Sequence, residues 1–174
     1  VAIITCLFLF NENDVLLEKL NENVTLIEKY NKFKSAGINK TIEFPENIIE
    51  KIIDTAMSFV GTPNKIGGID KSGIDASGLV YVSIKKNSNT LFPRIAQDMA
   101  RYGLFISDSD KLKRGDLVFF HDTYEVNRII TSVGIYLGDG EFINSSSSKG
   151  VTVSDINDPY YWKEKFFFGT RILN

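Results

Sequence analysis

"GIDASGLVY" (residues 73–81) is the stretch on which the reading of this chain turns. Asp75 is placed to cap a helix that runs on through Leu79, Val80 and Ile84. A small apolar residue, Ala76, stands in the first turn, where a reactive side chain would feel the positive end of the helix dipole.

Working outward, "ENIIEKIIDTAMSFVG" (46–61) carries Ile49, Ile52, Ile53, Ala56, Phe59 and Val60 at helical spacing, so a first helix is expected up to Gly61. "PNKIGGIDKSGI" (63–74) reads as loop by its glycines. A third helix is expected at "FPRIAQDMARYG" (92–103), with the proline in its first turn and Gly103 at its end.

After Lys113 the period changes to that of strands. "RGDLVFF" (114–120), "SVGIYLGDGEFINSS" (132–146), "GVTVSDI" (150–156) and "FFFGTRILN" (166–174) are short β-rich runs, and "GDG" at 138–140 marks a tight hairpin. Helices first and strands second predict an α+β domain, with N-terminal helices packed on an antiparallel sheet from the C-terminal half. Alternation puts Val133, Ile135 and Leu137 on one face and Ser132, Gly134 and Tyr136 on the other, so Ser132 and Asn144 are expected to face a shared cleft.

Composition narrows the chemistry. Twenty Lys and Arg against 22 Asp and Glu leave a formal charge of −2, too little positive field for a nucleic-acid partner. One cysteine, Cys6, and one histidine, His121, exclude an internal disulfide and a zinc cluster. No cofactor or metal is expected.

Three segments are expected: residues 1–10 as an apolar leader or anchor remnant, 11–45 as an amphipathic helix with linker, and 46–174 as the main domain. "VAIITCLFLF" (1–10) is too short to cross a bilayer as a helix. It is open to three readings: a lipoprotein box with Cys6 lipidated, an unlipidated signal or anchor, or a buried strand. The near repeat "NENDVLLEKL"/"NENVTLIEKY" (11–30) spaces Leu17, Leu20, Val24 and Ile27 on one helix face, to pack on the domain or contact a partner, and "SAG" at 35–37 supplies a stop.

From about Ile48 to Leu173 the chain resembles the NlpC-type papain-like cell-wall endopeptidases. The resemblance rests on "GTPNKIGG" (61–68), "SGIDASGLV" (72–80), "FPRIAQDMARYG", "LKRGDLVFF" (112–120), "SVGIYLGDGEFINSSSSKGV" (132–151) and a terminal "YYW" to "TRI", in the family's order and spacing. It implies a papain-like NlpC fold, an exported protein of the cell envelope and action on peptidoglycan stem peptides.

In that family the helix reads Asp-Cys-Ser-Gly, a histidine precedes Val-Gly-Ile, and a third residue, usually histidine, orients it. Those positions are Ala76, Ser132 and Asn144 here. Alanine cannot attack a carbonyl, and serine is no useful general base at neutral pH. Loss of nucleophile or base in a comparable triad costs on the order of 10⁶ in rate. Ser77 is one residue, about 100°, around the helix from the sulfur position and is no replacement.

The resemblance also implies binding residues. Asp75 and Ser77 correspond to groups that contact a peptide's free amine, Asn64 stands where a tyrosine is usual, Ile66 where a tryptophan is usual, and Arg94 matches the family. Asp75 and Ser77 can equally serve as helix caps, and Arg94 can simply pin a loop. The leading expectation is a pseudoenzyme that binds a cell-wall peptide or protein partner, with possible membrane anchoring through the N-terminus. The alternatives are an interaction protein with a vestigial cleft, or a hydrolase if the triad changes are engineered or bypassed.

Overall fold

A two-residue turn organises the C-terminal half. Asp139 and Gly140 both take left-handed backbone angles (φ 51° and 84°), the geometry that lets two strands turn back on each other with their native twist. Glycine accepts this at no steric cost, and aspartate is among the few side chains that tolerate it. The computed structural model describes residues 24, 25, 27–125 and 128–172.

The chain divides into two units, Val1–Gly37 and Ile38–Asn174. In the first, residues 27–35 are helical, and Gly37 (φ 100°) follows the helix as its glycine stop. Val24 and Ile27 each expose more than half of their surface. Leu17, Leu20, Cys6 and the 1–10 segment lie outside the described residues, so the readings made on them stay as expectations.

The larger unit is α+β. Helix α1 (Ile49–Met57) packs on α2 (Ala76–Asn87), and α2 in turn packs on two strands, β5 (Ser132–Gly138) and β6 (Glu141–Ser146). A small hairpin of β1 (Ile69–Asp70) and β2 (Gly73–Ile74) leads into α2. The remaining strands are β3 (Leu104–Ile106), β4 (Leu117–Phe120), β7 (Gly150–Asp155) and β8 (Phe166–Arg171). They join β5 and β6 in a six-stranded sheet of order β3-β8-β4-β5-β6-β7, antiparallel at every pairing. Short helices α3 (Ala96–Met99) and α4 (Trp162–Lys165) complete the unit.

The sheet is apolar on both faces. Val118, Phe120, Tyr136 and Phe142 form one cluster with Trp162 of α4, whose ring centroid lies 4.8 Å from that of Phe120 and 5.0 Å from that of Phe142. The alternate residues Leu117, Phe119, Val133, Ile135 and Ile143 are buried as completely on the other side. One buried ion pair stitches β4 to β8. Asp116, 2% exposed at its side chain, accepts from Nε and Nη2 of Arg171 at 2.9 and 2.7 Å and from the Lys113 amide at 2.7 Å. These three donors make a buried charge tolerable.

Several expectations are corrected. The helix expected at 92–103 contracts to Ala96–Met99, because Arg94 reaches across to Asp75 and Ile95 is extended. The chain then closes through three-residue turns to Gly103 (φ 86°). The first helix stops at Met57, and Val60, placed by periodicity on the buried face, is 52% exposed in the turn that follows. The loop at 63–74 contains the β1–β2 hairpin. The connector at 38–45 is tied into the larger unit by a bridge from Lys40 to Tyr102 and a bond from the Thr90 hydroxyl to the Glu43 carbonyl.

Candidate functional site

The site is built where the loop before α2 meets the end of β6. Asp75 is extended (φ −89°, ψ 172°) and caps α2, its Oδ1 accepting from the Gly78 amide at 2.6 Å. Its Oδ2 accepts from the Gly67 amide at 2.5 Å and from Arg94 Nη2 at 3.0 Å. Arg94 Nη1 lies 3.0 Å from Oδ1 and donates to the Ser77 hydroxyl at 2.8 Å, while Ser77 donates to Oδ1 at 3.2 Å. Arg94 also donates to the Gly68 carbonyl at 3.1 Å.

One carboxylate therefore fastens the 67–68 loop, the 94–95 segment and the helix start together. Burial by itself would raise the Asp75 carboxyl, but the hydrogen bonds from Arg94, Gly78 and Gly67 and the charge of Arg94 outweigh it and hold it below the usual range. Gly78 is required by the same close approach: a Cβ there would run into the Gly68 carbonyl and the Arg94 guanidinium.

The second fastening was not read from the sequence. Ser145, 4% exposed, donates to the Ile74 carbonyl at 2.7 Å and accepts from Asn64 Nδ2 at 2.9 Å. Asn64 thus serves as a bridge to β6 through the residue next to Asn144. The available signal was the alternation of β6, which places Ser145 opposite in facing to Asn144 and so toward a different neighbour.

Ala76 opens α2 and is half-buried. Ser132 opens β5, paired with Phe120 and 7% exposed. Asn144 lies in β6 opposite Thr152 and is fully buried. The Asn144 Cβ is 3.4 Å from where a Cβ on Gly134 would stand, so Asn144 projects on the face of Gly134, which alternation makes the face of Ser132.

The shared face was expected; a solvent-facing cleft at these two residues was not found, since both are buried and Tyr136, on the same face, belongs to the aromatic core. Neither atom of the Asn144 amide has a hydrogen-bond partner among the described residues. Ser132 likewise makes no side-chain hydrogen bond to the described residues.

His121 lies beyond β4. Its Nδ1 is 2.8 Å from Asp122 Oδ2, and its ring meets Phe167 edge-on at 5.5 Å. Among the described residues no group of three or more His, Cys, Asp or Glu could hold a metal ion, and no helix is long and apolar enough to cross a membrane.

A family model described as the NlpC/P60 family matches residues 61–171. The chain is 38% identical over 125 residues to a probable endopeptidase NlpC of Escherichia coli K12, covering 72% of this chain and 79% of that protein. Among solved structures, an NlpC/P60 family protein from Bacillus cereus superposes with a TM-score of 0.65 at 27% identity, over 76% of this chain and 42% of that one. RipD from Mycobacterium tuberculosis, described as a non-catalytic NlpC/p60 domain protein adapted to peptidoglycan binding, superposes with a TM-score of 0.58 at 22% identity, over 74% of this chain and all of that one.

Proposed function

The chain belongs to the NlpC/P60 family, and we propose that it is a non-hydrolysing member that uses the retained scaffold to bind a peptidoglycan stem peptide or a protein partner at the cell envelope. The observation that carries this reading is the coincidence of Ala76, Ser132 and Asn144 at the positions that the family's motifs give to the nucleophile, base and orienting residue, on a scaffold held by the Arg94–Asp75 and Ser145–Ile74 bonds.

No nearby group takes over the chemistry. The Ser77 hydroxyl is held between Arg94 and Asp75, and a carboxylate whose pKa is depressed is a poor base toward a hydroxyl. His121 is committed to Asp122 and Phe167. That RipD combines this fold with a non-catalytic, binding role supports the reading at the level of fold.

A protein partner, with the old cleft vestigial, is favoured by one observation over a free amine at Asp75. Gly67, Gly78, Ser77 and Arg94 together already fill the roughly four acceptor sites of its carboxylate. A ligand amine would have to displace one of them.

Isothermal titration with tripeptide and tetrapeptide stems tests the ligand reading. Heat that disappears in Asp75→Asn would support it, and no heat with any stem would leave the protein-partner form. Stem cleavage that scales with purified protein and survives dialysis would overturn the proposal as a whole.

A further inference from the structure

The Asn144 side chain is fully buried, and neither its amide nitrogen nor its carbonyl oxygen has a hydrogen-bond partner among the described residues. A buried amide in that state has lost its hydration with nothing in return, and such groups in folded proteins are almost always bonded to protein or to ordered water. The neighbours on its face of the sheet decide which of the two is open to Asn144.

Continued by one residue, the β5–β6 register that sets Ile135 against Ile143 sets Gly134 against Asn144. Gly134 offers the amide no side chain, and the Phe142 ring leans over it, its Cδ2 2.7 Å from where a Cβ would stand. Val118 and Phe120 of β4 add only carbon. Two hydroxyls remain on this face. Thr152 stands directly opposite Asn144 on β7, and Ser132 is its diagonal neighbour on β5, two residues before Gly134. Ser132 is 7% exposed and makes no side-chain hydrogen bond to the described residues. The Thr152 hydroxyl donates to the Val153 carbonyl at 3.2 Å and keeps its lone pairs.

Neither hydroxyl bonds to the amide, yet the spacing suits a bridge. Diagonal residues on paired strands lie roughly 7–8 Å apart with their side chains closer, and a water making two hydrogen bonds spans about 5.5 Å. We propose that Asn144, Ser132 and Thr152 form an internal hydration site holding ordered water, which accepts from the Asn144 Nδ2 or donates to its Oδ1 and completes its shell on the two hydroxyls. These groups supply the two to four polar partners that a buried water takes. β7 is an edge strand of the sheet and Thr152 is half-buried, which gives water a short way in. The site rests on the unpartnered amide and does not depend on whether the chain cleaves peptides.

Two measurements test it. In a high-resolution crystal structure of the full chain, a water is expected within hydrogen-bond distance of Asn144 Oδ1 or Nδ2 and of Ser132 Oγ or Thr152 Oγ1. Oxygen-17 relaxation dispersion in solution counts long-lived internal waters without interference from exchanging hydroxyl protons. It should register about one or two fewer in Asn144→Leu than in the parent, because leucine removes both polar atoms of the amide. The crystal of the parent decides the matter even where the leucine variant does not fold. A dry amide in that crystal, an amide turned onto a protein group, or an equal water count in the folded leucine variant would overturn the assignment.

Discussion

The Ser145 hydroxyl donates to the Ile74 carbonyl at 2.7 Å, joining the residue after Asn144 to the residue two before Ala76. The positions proposed for the family's nucleophile and orienting residue, Ala76 and Asn144, are thus linked through a bond that involves neither. In that proposal the reactive groups change while the frame persists.

Ser145→Ala should expose how much the frame depends on this bond. Ser145 is buried, and its loss leaves the Ile74 carbonyl without that donor and Asn64 without its 2.9 Å acceptor. The expected cost is about 1–3 kcal/mol, read as a lower urea midpoint with an unchanged slope. A variant as stable as the parent would show that the β1–β2 hairpin and the backbone bonds between Val151 of β7 and Gly61 and Thr62 hold the loop without Ser145.

Asn144→Leu, one residue away, should behave in the opposite sense. The Asn144 amide makes no hydrogen bond to the described residues, so a side chain of similar shape removes no partner among them. Stability is expected within about 1 kcal/mol of the parent or above it, by the same urea titration. A loss comparable to that of Ser145→Ala would mean that the amide has a structural role the protein contacts do not express.

The strands were legible because their chemistry is local. The glycine-bearing turn at 138–140 and the alternation around it determine β5 and β6 from within a few residues. The helix at 92–103 was over-read because its first residues answer to a distant one: Arg94 is drawn to Asp75, nineteen positions away, and helical periodicity carries no such information. The proposed triad positions rest on their place in a recognised order of motifs. The burial of Ser132 and Asn144 was not legible, because alternation distinguishes two faces of a strand without saying what covers either. In this sheet both are covered.

Acid should weaken the Asp75 fastening. Its carboxyl is held below the free-chain value of about 3.9, so its contribution to stability is fully present above that value and is lost as pH falls through the lower folded value. The stability difference between the parent and Asp75→Asn should be level from about pH 5 to 7 and shrink below about pH 4. Urea midpoints of both proteins across pH 2.5–7 measure it, and a difference that grows on acidification would contradict the pairing with Arg94.

Installing the family's reactive groups separates missing chemistry from a missing site. In a Cys6→Ala background, Ala76→Cys puts a thiol in the first turn of a twelve-residue helix, where the dipole favours the thiolate. Alkylation by iodoacetamide should titrate below the ordinary value of about 8.5, yet stem peptides should stay uncleaved because no imidazole stands at Ser132. Adding Ser132→His and Asn144→His should then bring cleavage. Both positions are buried, and the added volume is expected to cost about 1–3 kcal/mol, so circular dichroism must first show that the triple variant folds. A folded triple variant that alkylates readily but cleaves nothing would place the loss in the binding surface as well. The Asp75–Arg94 clamp, which ties up the carboxylate an amine would need, would then be the next contact to open.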